Sequence, residues 1–413
     1  MKTVRLRTKR TLAKTRSQQS SGRTAGAASS VSKGFAGARS SWTIRPQGLY
    51  TATKKYLIAR YGKTRYTRYY KVHHSGDVTK LSDSKGLDAQ PPKHFRSTTF
   101  QASPCFTALI PNARVWEKNG AVITPDNKLL SDVSWDYRKG LVHGSKHNVF
   151  KVWEPHRLKT YSGTAALLTF IWSGNYFHWM FDVLPRIELI RRSRVTVDKY
   201  IVPNDRSSFQ NETLNLLGIP PAKRILTDHD FHARFERLLV PSFVRPVSPH
   251  PSTYPKWTVS FLRKELLEKR NITASDEYER IYISRSKARQ RRVLNEEELH
   301  GILYDYGLRI VHLEGKSVQE QMQILHSAKV VVGPHGAGLT NLVFSKPGTK
   351  VVEMFSPDYV SNYYWHLSNQ IGLEHYYYIG VNNVKPHKDW WSGSSDFEVE
   401  PRKLERLLRI ANI

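Results

Sequence analysis

The sequence predicts an α/β protein built from two halves behind a basic tail. Two observations in the chain's organisation carry this, with a third dividing the halves. Short apolar runs stopped by proline or polar loops alternate with a helix-period segment between about residues 100 and 250. Residues 279–355 repeat a stricter strand–helix–strand–helix–strand order, the pattern of parallel strands joined by right-handed crossovers. The stretch VPSFVRPVSPHPSTYP at 240–255 holds five prolines in sixteen residues and reads as the linker. The expected division is a disordered tail over 1–45, a first α/β domain over 46–250 and a second, Rossmann-like domain over 256–413.

In the first half RVWEKNGAVITP, AALLTFIW, KYIVP and RLLVP read as strands. YFHWMFDVLPRIELIRR carries helical spacing, with Phe177, Phe181 and Leu184 on one side. The basic aromatic run YLIARYGKTRYTRYYKVHH reads as a surface hairpin, with stacking on bases as the alternative. In the second half ERIYIS, LRIVHLE, KVVVG and TKVVEMF are expected strands and LNEEELHGILYDYG an amphipathic helix. Ser317 and Glu320 form a capping box that starts the helix SVQEQMQILHSA.

The chain of 413 residues carries a formal charge of +29, which raises nucleic acid as a partner. The distribution argues otherwise. Eighteen Lys and Arg precede the first acid, Asp77, leaving 46 basic against 35 acidic residues in the rest. The folded part then keeps an excess of about 11, suited to an anionic substrate or an anionic lipid surface. Specific nucleic-acid binding is therefore not expected, and peripheral membrane association through the tail is. The single cysteine, Cys105, excludes an intramolecular disulfide and a cysteine-based zinc cluster. With no long apolar run and no evident leader, the expected location is the cytoplasm.

The segment GPHGAGLTN at 333–341 leaves an expected strand and enters an expected helix. Gly333, Gly336, Ala337 and Gly338 make a turn whose backbone N–H groups can approach an anion, with His335 and Asn341 at its rim. A turn that needs glycine only for its shape is the bland alternative. A dinucleotide fingerprint fails because Asn341 stands where its third glycine belongs. An esterase loop fails because the chain holds no G-x-S-x-G elbow. Asp228-His229-Asp230 has the spacing of a metal-holding D-x-D triplet, but reads as a solvated loop, so no metal site is assigned.

His178 and Asp182 stand four apart on a helix and share a face, where an imidazole and a carboxylate can take a proton from a hydroxyl. Structural hydrogen bonding is an equal alternative for this pair. Arg285 closes the strand YISR, where a guanidinium can grip a diphosphate, and Lys287, Arg289, Arg291 and Arg292 follow it. Glu353, at the end of VVE, is placed to accept from ribose hydroxyls.

Taken together, NYFHWMFDVLPR, YISR and VVVGPHGAGLTNLVFSKPGTKVVEMF resemble the signatures of glycosyltransferase family 61 across about residues 170–380. The resemblance implies a GT-B-like architecture of two facing Rossmann-type domains. It also implies inverting, metal-independent transfer of a sugar from a nucleotide-diphosphate donor, a UDP-sugar, to a hydroxyl of a glycan, with no bound cofactor. It places Arg285, His335, Gly336 and Gly338 on the donor side, joined by Gly333, Ala337, Asn341 and Glu353. Asn175, Trp179 and Arg186 fall on the acceptor side with His178 and Asp182, and Asp182 stands ahead of His178 as the expected base. The lone cysteine and absent anchor favour the microbial members that build capsular or surface polysaccharides. Two rivals accompany this reading: a nucleic-acid binder working through the basic N-terminal segment, and an inactive member acting as a scaffold.

Overall fold

Five strands, Arg280–Ile283, Arg309–Val311, Val330–Pro334, Lys350–Phe355 and Glu374–Ile379, form one parallel sheet in the second half of the chain. In the computed structural model the described residues are 45–413, apart from 75, 138–140, 152–156, 205–206, 246–253 and 383–394. The tail expected to be disordered over 1–45 lies, but for Arg45, outside them, and so does half of the proline-rich stretch.

The spatial order of the five strands places the second outside the first, then the third, fourth and fifth on the other side. In such a doubly wound sheet the order reverses between the first and third strands, and a crevice opens beyond their carboxyl ends. Those ends are Ile283, followed by Ser284 and Arg285, and Pro334, followed by His335 and Gly336. The topology thus brings YISR and PHGAG to one crevice.

Helices Glu296–Asp305 and Val318–Ser327 make the expected crossovers. The second opens on the predicted capping box, with the Ser317 side chain accepting from the Glu320 N–H and Glu320 returning a bond to the Ser317 N–H, a device that stabilises a helix by about 1 kcal/mol. After Pro334 the expected α-helix is instead a 3₁₀-helix, Ala337–Phe344. Six of its residues, Leu339–Phe344, are buried. A side chain buried on every face favours the tighter turn that packs it from all sides. Tyr363–Ile371 and Pro401–Ile410 add two further helices.

The first half holds a mixed sheet. Strands Lys159–Leu167, Lys199–Pro203, Arg224–Thr227 and His232–Pro241 run parallel, and His232–Pro241 pairs antiparallel with Cys105–Pro111 and Arg114–Trp116. KYIVP and RLLVP fall on these strands and AALLTFIW does so only through its first three residues, whereas RVWEKNGAVITP is a hairpin of two, Arg114–Trp116 and Ala121–Ile123. The basic aromatic run is not a hairpin. It forms helix Thr53–Arg65 and strand Tyr70–His74, because Tyr56 and Leu57 bury one helix face. Tyr61 and Tyr69 then stack at 4.1 Å across the turn, using their rings on each other.

Residues 43–413 form one compact unit. A single apolar core draws on both sheets: Ala166, Trp179, Phe181 and Leu239 from the first half meet Ile281, Leu325, Val331 and Phe344 from the second. The fold is therefore mixed α/β with the two sheets welded by shared packing. No helix among the described residues is long and apolar enough to cross a membrane.

Candidate active site

The segment carrying His178 and Asp182 is not one regular helix. Tyr176–His178 is α-helical, Trp179–Val183 is a π-turn in which Leu184 N–H reaches back to Trp179 O, and Arg186–Ser193 resumes the α form. Pro185 explains the break, since it has no N–H to give and its ring crowds the carbonyl four residues earlier. Asn175 caps the start, its side-chain oxygen accepting from the N–H groups of Phe177 and His178.

Asp182 sits at the centre of a buried polar network. It accepts from Arg245 Nε at 2.9 Å and Nη2 at 3.3 Å, from Tyr254 Oη at 3.0 Å and from His178 Nδ1 at 2.7 Å. Burial alone would raise its pKa, but the Arg245 charge and the bond from His178 hold it well below the ordinary carboxylate range. A carboxylate so stabilised and 2% exposed cannot serve as the proton acceptor. The preference for Asp182 over His178 therefore reverses.

His178 has what Asp182 lacks. Its side chain is 19% exposed, its Nδ1 is committed to Asp182, and its Nε2 has no partner among the described residues. Burial lowers its pKa, and the Arg245 charge adds to this against the pull of Asp182, so the ring is neutral at pH 7. A neutral ring that donates from Nδ1 must carry its lone pair on Nε2. Asp182 thereby selects the tautomer in which the outward nitrogen is a base.

At the crevice of the parallel sheet, Arg285 lies directly over Gly336. A Cβ at 336 would fall 1.9 Å from Arg285 Nη1 and 2.5 Å from its Cζ. Gly336 has extended backbone angles, φ 175° and ψ 176°, so glycine is required here for room and not for conformation. Gly333 and Gly338 meet packing constraints instead: a Cβ would stand 3.0 Å from Ile283 O and 3.3 Å from Leu313 Cδ1, respectively. Ala337 is half-buried at the turn.

Arg285 donates only to the carbonyls of Gln290, at 2.9 Å, and Arg291, at 3.3 Å. Arg291 donates to His335 O at 3.4 Å and lies 4.6 Å over the Tyr359 ring. Neither guanidinium has a carboxylate partner among the described residues. Burial and the Arg291 charge both lower the pKa of Arg285, an arrangement that favours an arriving anion. Arg292, by contrast, is neutralised by Asp396 at 2.6 Å, and Lys287 and Arg289 are exposed.

His335 is buried against Phe355, Tyr359 and Tyr364, and its Nδ1 is bonded to Glu353. The other Glu353 oxygen bonds His375 Nε2 at 2.8 Å, and His375 Nδ1 meets Ser84 Oγ at 2.7 Å. Glu353 is fully buried with both oxygens engaged, so it is not the ribose acceptor expected. Burial pushes its carboxyl well above the usual range and both imidazoles down, so this chain is neutral overall.

Three other expected site residues are structural. Asn341 is fully buried, accepting from Tyr176 Oη at 2.7 Å and donating to Gln321 at 2.8 Å and Gly338 O at 3.1 Å. Trp179 is buried and donates to Thr213 Oγ1 at 2.8 Å. Arg186 is 1% exposed and bonds the carbonyls of Leu168, Thr169 and Pro241. The polar ends of Asn341 and Trp179 are satisfied in the interior, and Arg186 places both terminal nitrogens on carbonyls. Asn175 is exposed beside His178, and Asp228 and Asp230 lie exposed in a loop.

The two groups adjoin. Phe177 packs on His178 at 5.4 Å and on Tyr364 at 5.8 Å, and Tyr364 packs on His335 at 5.1 Å while donating to Gly336 O at 2.7 Å. Sequence reasoning missed Arg245, Tyr254, Tyr364 and His375, which lie in a proline-rich run or in helices and strands with no motif of their own. What results is an imidazole with an uncommitted nitrogen on one side and, on the other, a crevice with two guanidiniums that have no carboxylate partner among the described residues.

The Glycosyltransferase 61 family model matches residues 176–352, which span both parts of this site. A beta-1,2-xylosyltransferase of Arabidopsis thaliana is 29% identical over 100 residues, 21% of this chain and 19% of that protein. A protein O-linked-mannose beta-1,4-N-acetylglucosaminyltransferase 2 of Tetraodon nigroviridis is 28% identical over 184 residues, 40% of this chain and 31% of that protein. The beta-1,2-xylosyltransferase RCN11 of Oryza sativa subsp. japonica is 40% identical over 60 residues, 14% and 11% respectively. The chain spans less than a third of the length of these relatives. They are plant and animal proteins, so the expected leaning toward microbial capsular members finds no support.

Proposed function

We propose that the protein transfers a sugar from a nucleotide-diphosphate donor, a UDP-sugar, to a hydroxyl of a glycan, with inversion and without a metal. The observation that carries this is the pair of guanidiniums, Arg285 and Arg291, without a carboxylate partner among the described residues and packed on the 335–336 turn where the strand order reverses. In this reading both cations and His335 face the diphosphate and stabilise the charge that grows on it as the glycosidic bond breaks. His178 Nε2 takes the proton of the attacking hydroxyl, and the Arg245-held Asp182 steadies the imidazolium that forms. The two sheets would be the halves of a GT-B-like arrangement, joined by the shared core. The names of the relatives, which are glycosyltransferases, agree in kind.

Titration with UDP in the presence of EDTA tests the donor half. Binding that survives chelation and weakens in Arg285→Ala is expected; binding abolished by EDTA would require a metal and a different mechanism. Salt-sensitive polynucleotide binding through residues 1–80 that accounts for all activity would favour the nucleic-acid rival, whose case rests on the basic charge of the N-terminal segment.

A further inference from the structure

Trp172 stands beside the base. Its ring lies 4.8 Å from the His178 ring, and Tyr137, 52% exposed, meets it edge-on at 5.8 Å. The cleft next to them is lined by Lys118, Asn119, Ile171, Trp172 and Asn175 and measures about 250 Å³. Three donors at this cleft have no partner among the described residues: Lys118 Nζ, the Asn175 amide and the Trp172 indole N–H. Asn119 uses its amide to hold the buried Asp136 at 3.1 Å, which leaves its carbonyl for a ligand.

A half-buried aromatic ring bordered by uncommitted hydrogen-bonding groups suits a ligand with an apolar face and hydroxyl edges. An anion would need more than the one cation present, and a purely apolar ligand would leave the three donors unpaired at a cost. We infer that this cleft is the acceptor subsite, binding one neutral glycosyl unit against Trp172 with a hydroxyl directed at His178 Nε2. The inference rests on the proposed transfer reaction and extends it: Asn175 belongs to this subsite, whereas Trp179 and Arg186 lie in the interior behind it.

The experiment is ligand-observed saturation-transfer NMR on the full chain, with UDP held saturating and methyl glycosides of mannose, glucose, galactose, N-acetylglucosamine, xylose and arabinose as probes. At least one glycoside is expected to bind the unaltered protein. Trp172→Ala should weaken it about tenfold or more, the loss of a stacked aromatic contact together with its buried area. Lys118→Ala, at a half-buried rim position, should weaken it by a smaller factor. UDP affinity should stay within about twofold in both variants, which also reports that they fold. Glycoside binding that is absent from the unaltered protein, or equal in both variants, would overturn the subsite. Failure of the unaltered protein to bind UDP would instead strike the reaction on which the inference rests. Should Trp172→Ala not fold, Lys118→Ala alone decides.

Discussion

Gly336→Ala is the most informative single substitution, because it adds one methyl group at a position whose backbone tolerates it. With φ 175° and ψ 176° an alanine suffers no conformational penalty of the left-handed kind. The methyl carbon would nevertheless lie 1.9 Å from Arg285 Nη1, 2.5 Å from Cζ and 3.0 Å from Nε. The guanidinium must leave, giving up its bonds to the carbonyls of Gln290 and Arg291. If those positions aim Arg285 at a diphosphate, the affinity lost is that of charged hydrogen bonds, about 1.5–3 kcal/mol, or roughly 10- to 150-fold in the UDP dissociation constant. Calorimetric titration with UDP measures it directly. The same substitution made on Arg285→Ala should cost almost nothing further, since the two changes remove one interaction. An unchanged UDP affinity in Gly336→Ala, or full additivity in the double variant, would refute a donor role for Arg285.

Further outcomes follow from the polar networks. His178→Gln should lower kcat by about 10²–10⁴ at near-constant UDP affinity, as removal of a general base does; a matching loss of UDP binding would make His178 structural. The acid limb of the kcat–pH profile should fall below 6.5, the ordinary histidine value, because burial lowers the pKa of His178 and protonation removes the base. Asp182→Asn leaves Arg245 buried and unpaired and should cost about 3–5 kcal/mol of stability, read from denaturant unfolding. The sign of its pH dependence is set by the depressed pKa of Asp182: the stabilisation is complete above the unfolded carboxylate value of 3.8 and fades as pH falls below it. A variant lacking Asp182 should lose that acid dependence. His375→Phe, which breaks the bond to Glu353, should weaken UDP binding more than His326→Phe, a half-buried histidine away from the crevice.

Much of the parallel sheet was legible because its signals are local. ERIYIS, KVVVG and TKVVEMF are short segments rich in β-branched and aromatic residues, and the Ser317–Glu320 box marks a helix start with two mutual bonds. The strand order that sets the crevice depends on pairings far apart in sequence, yet the crossover rule narrowed it to the form observed. The 3₁₀-helix after Gly336 was not legible, since its apolar residues are buried on all sides and periodicity cannot distinguish that from an α-helix.

At the site the pattern is similar. His178 and Asp182 were found from i, i+4 spacing, but their roles turn on Arg245 and Tyr254, which reach Asp182 from 63 and 72 residues away. Spacing identifies neighbours and says nothing of which one is buried with a cation. Glu353 and Asn341 were misread for the same reason: each is polar at the end of a motif, and only the packing shows that its bonds are already used. Gly336 was expected to bare its N–H, whereas the space it leaves is occupied by a side chain 51 residues earlier.

The central claim is that Arg285, Arg291 and the 335–336 turn hold a nucleotide diphosphate without help from a metal. The most direct measurement is the dissociation constant of UDP, in excess EDTA, for the unaltered protein and for Arg285→Ala. The account predicts saturable binding to the first and binding weaker by about tenfold or more to the second. Absence of binding to the unaltered protein, or equal affinity in both, would contradict it.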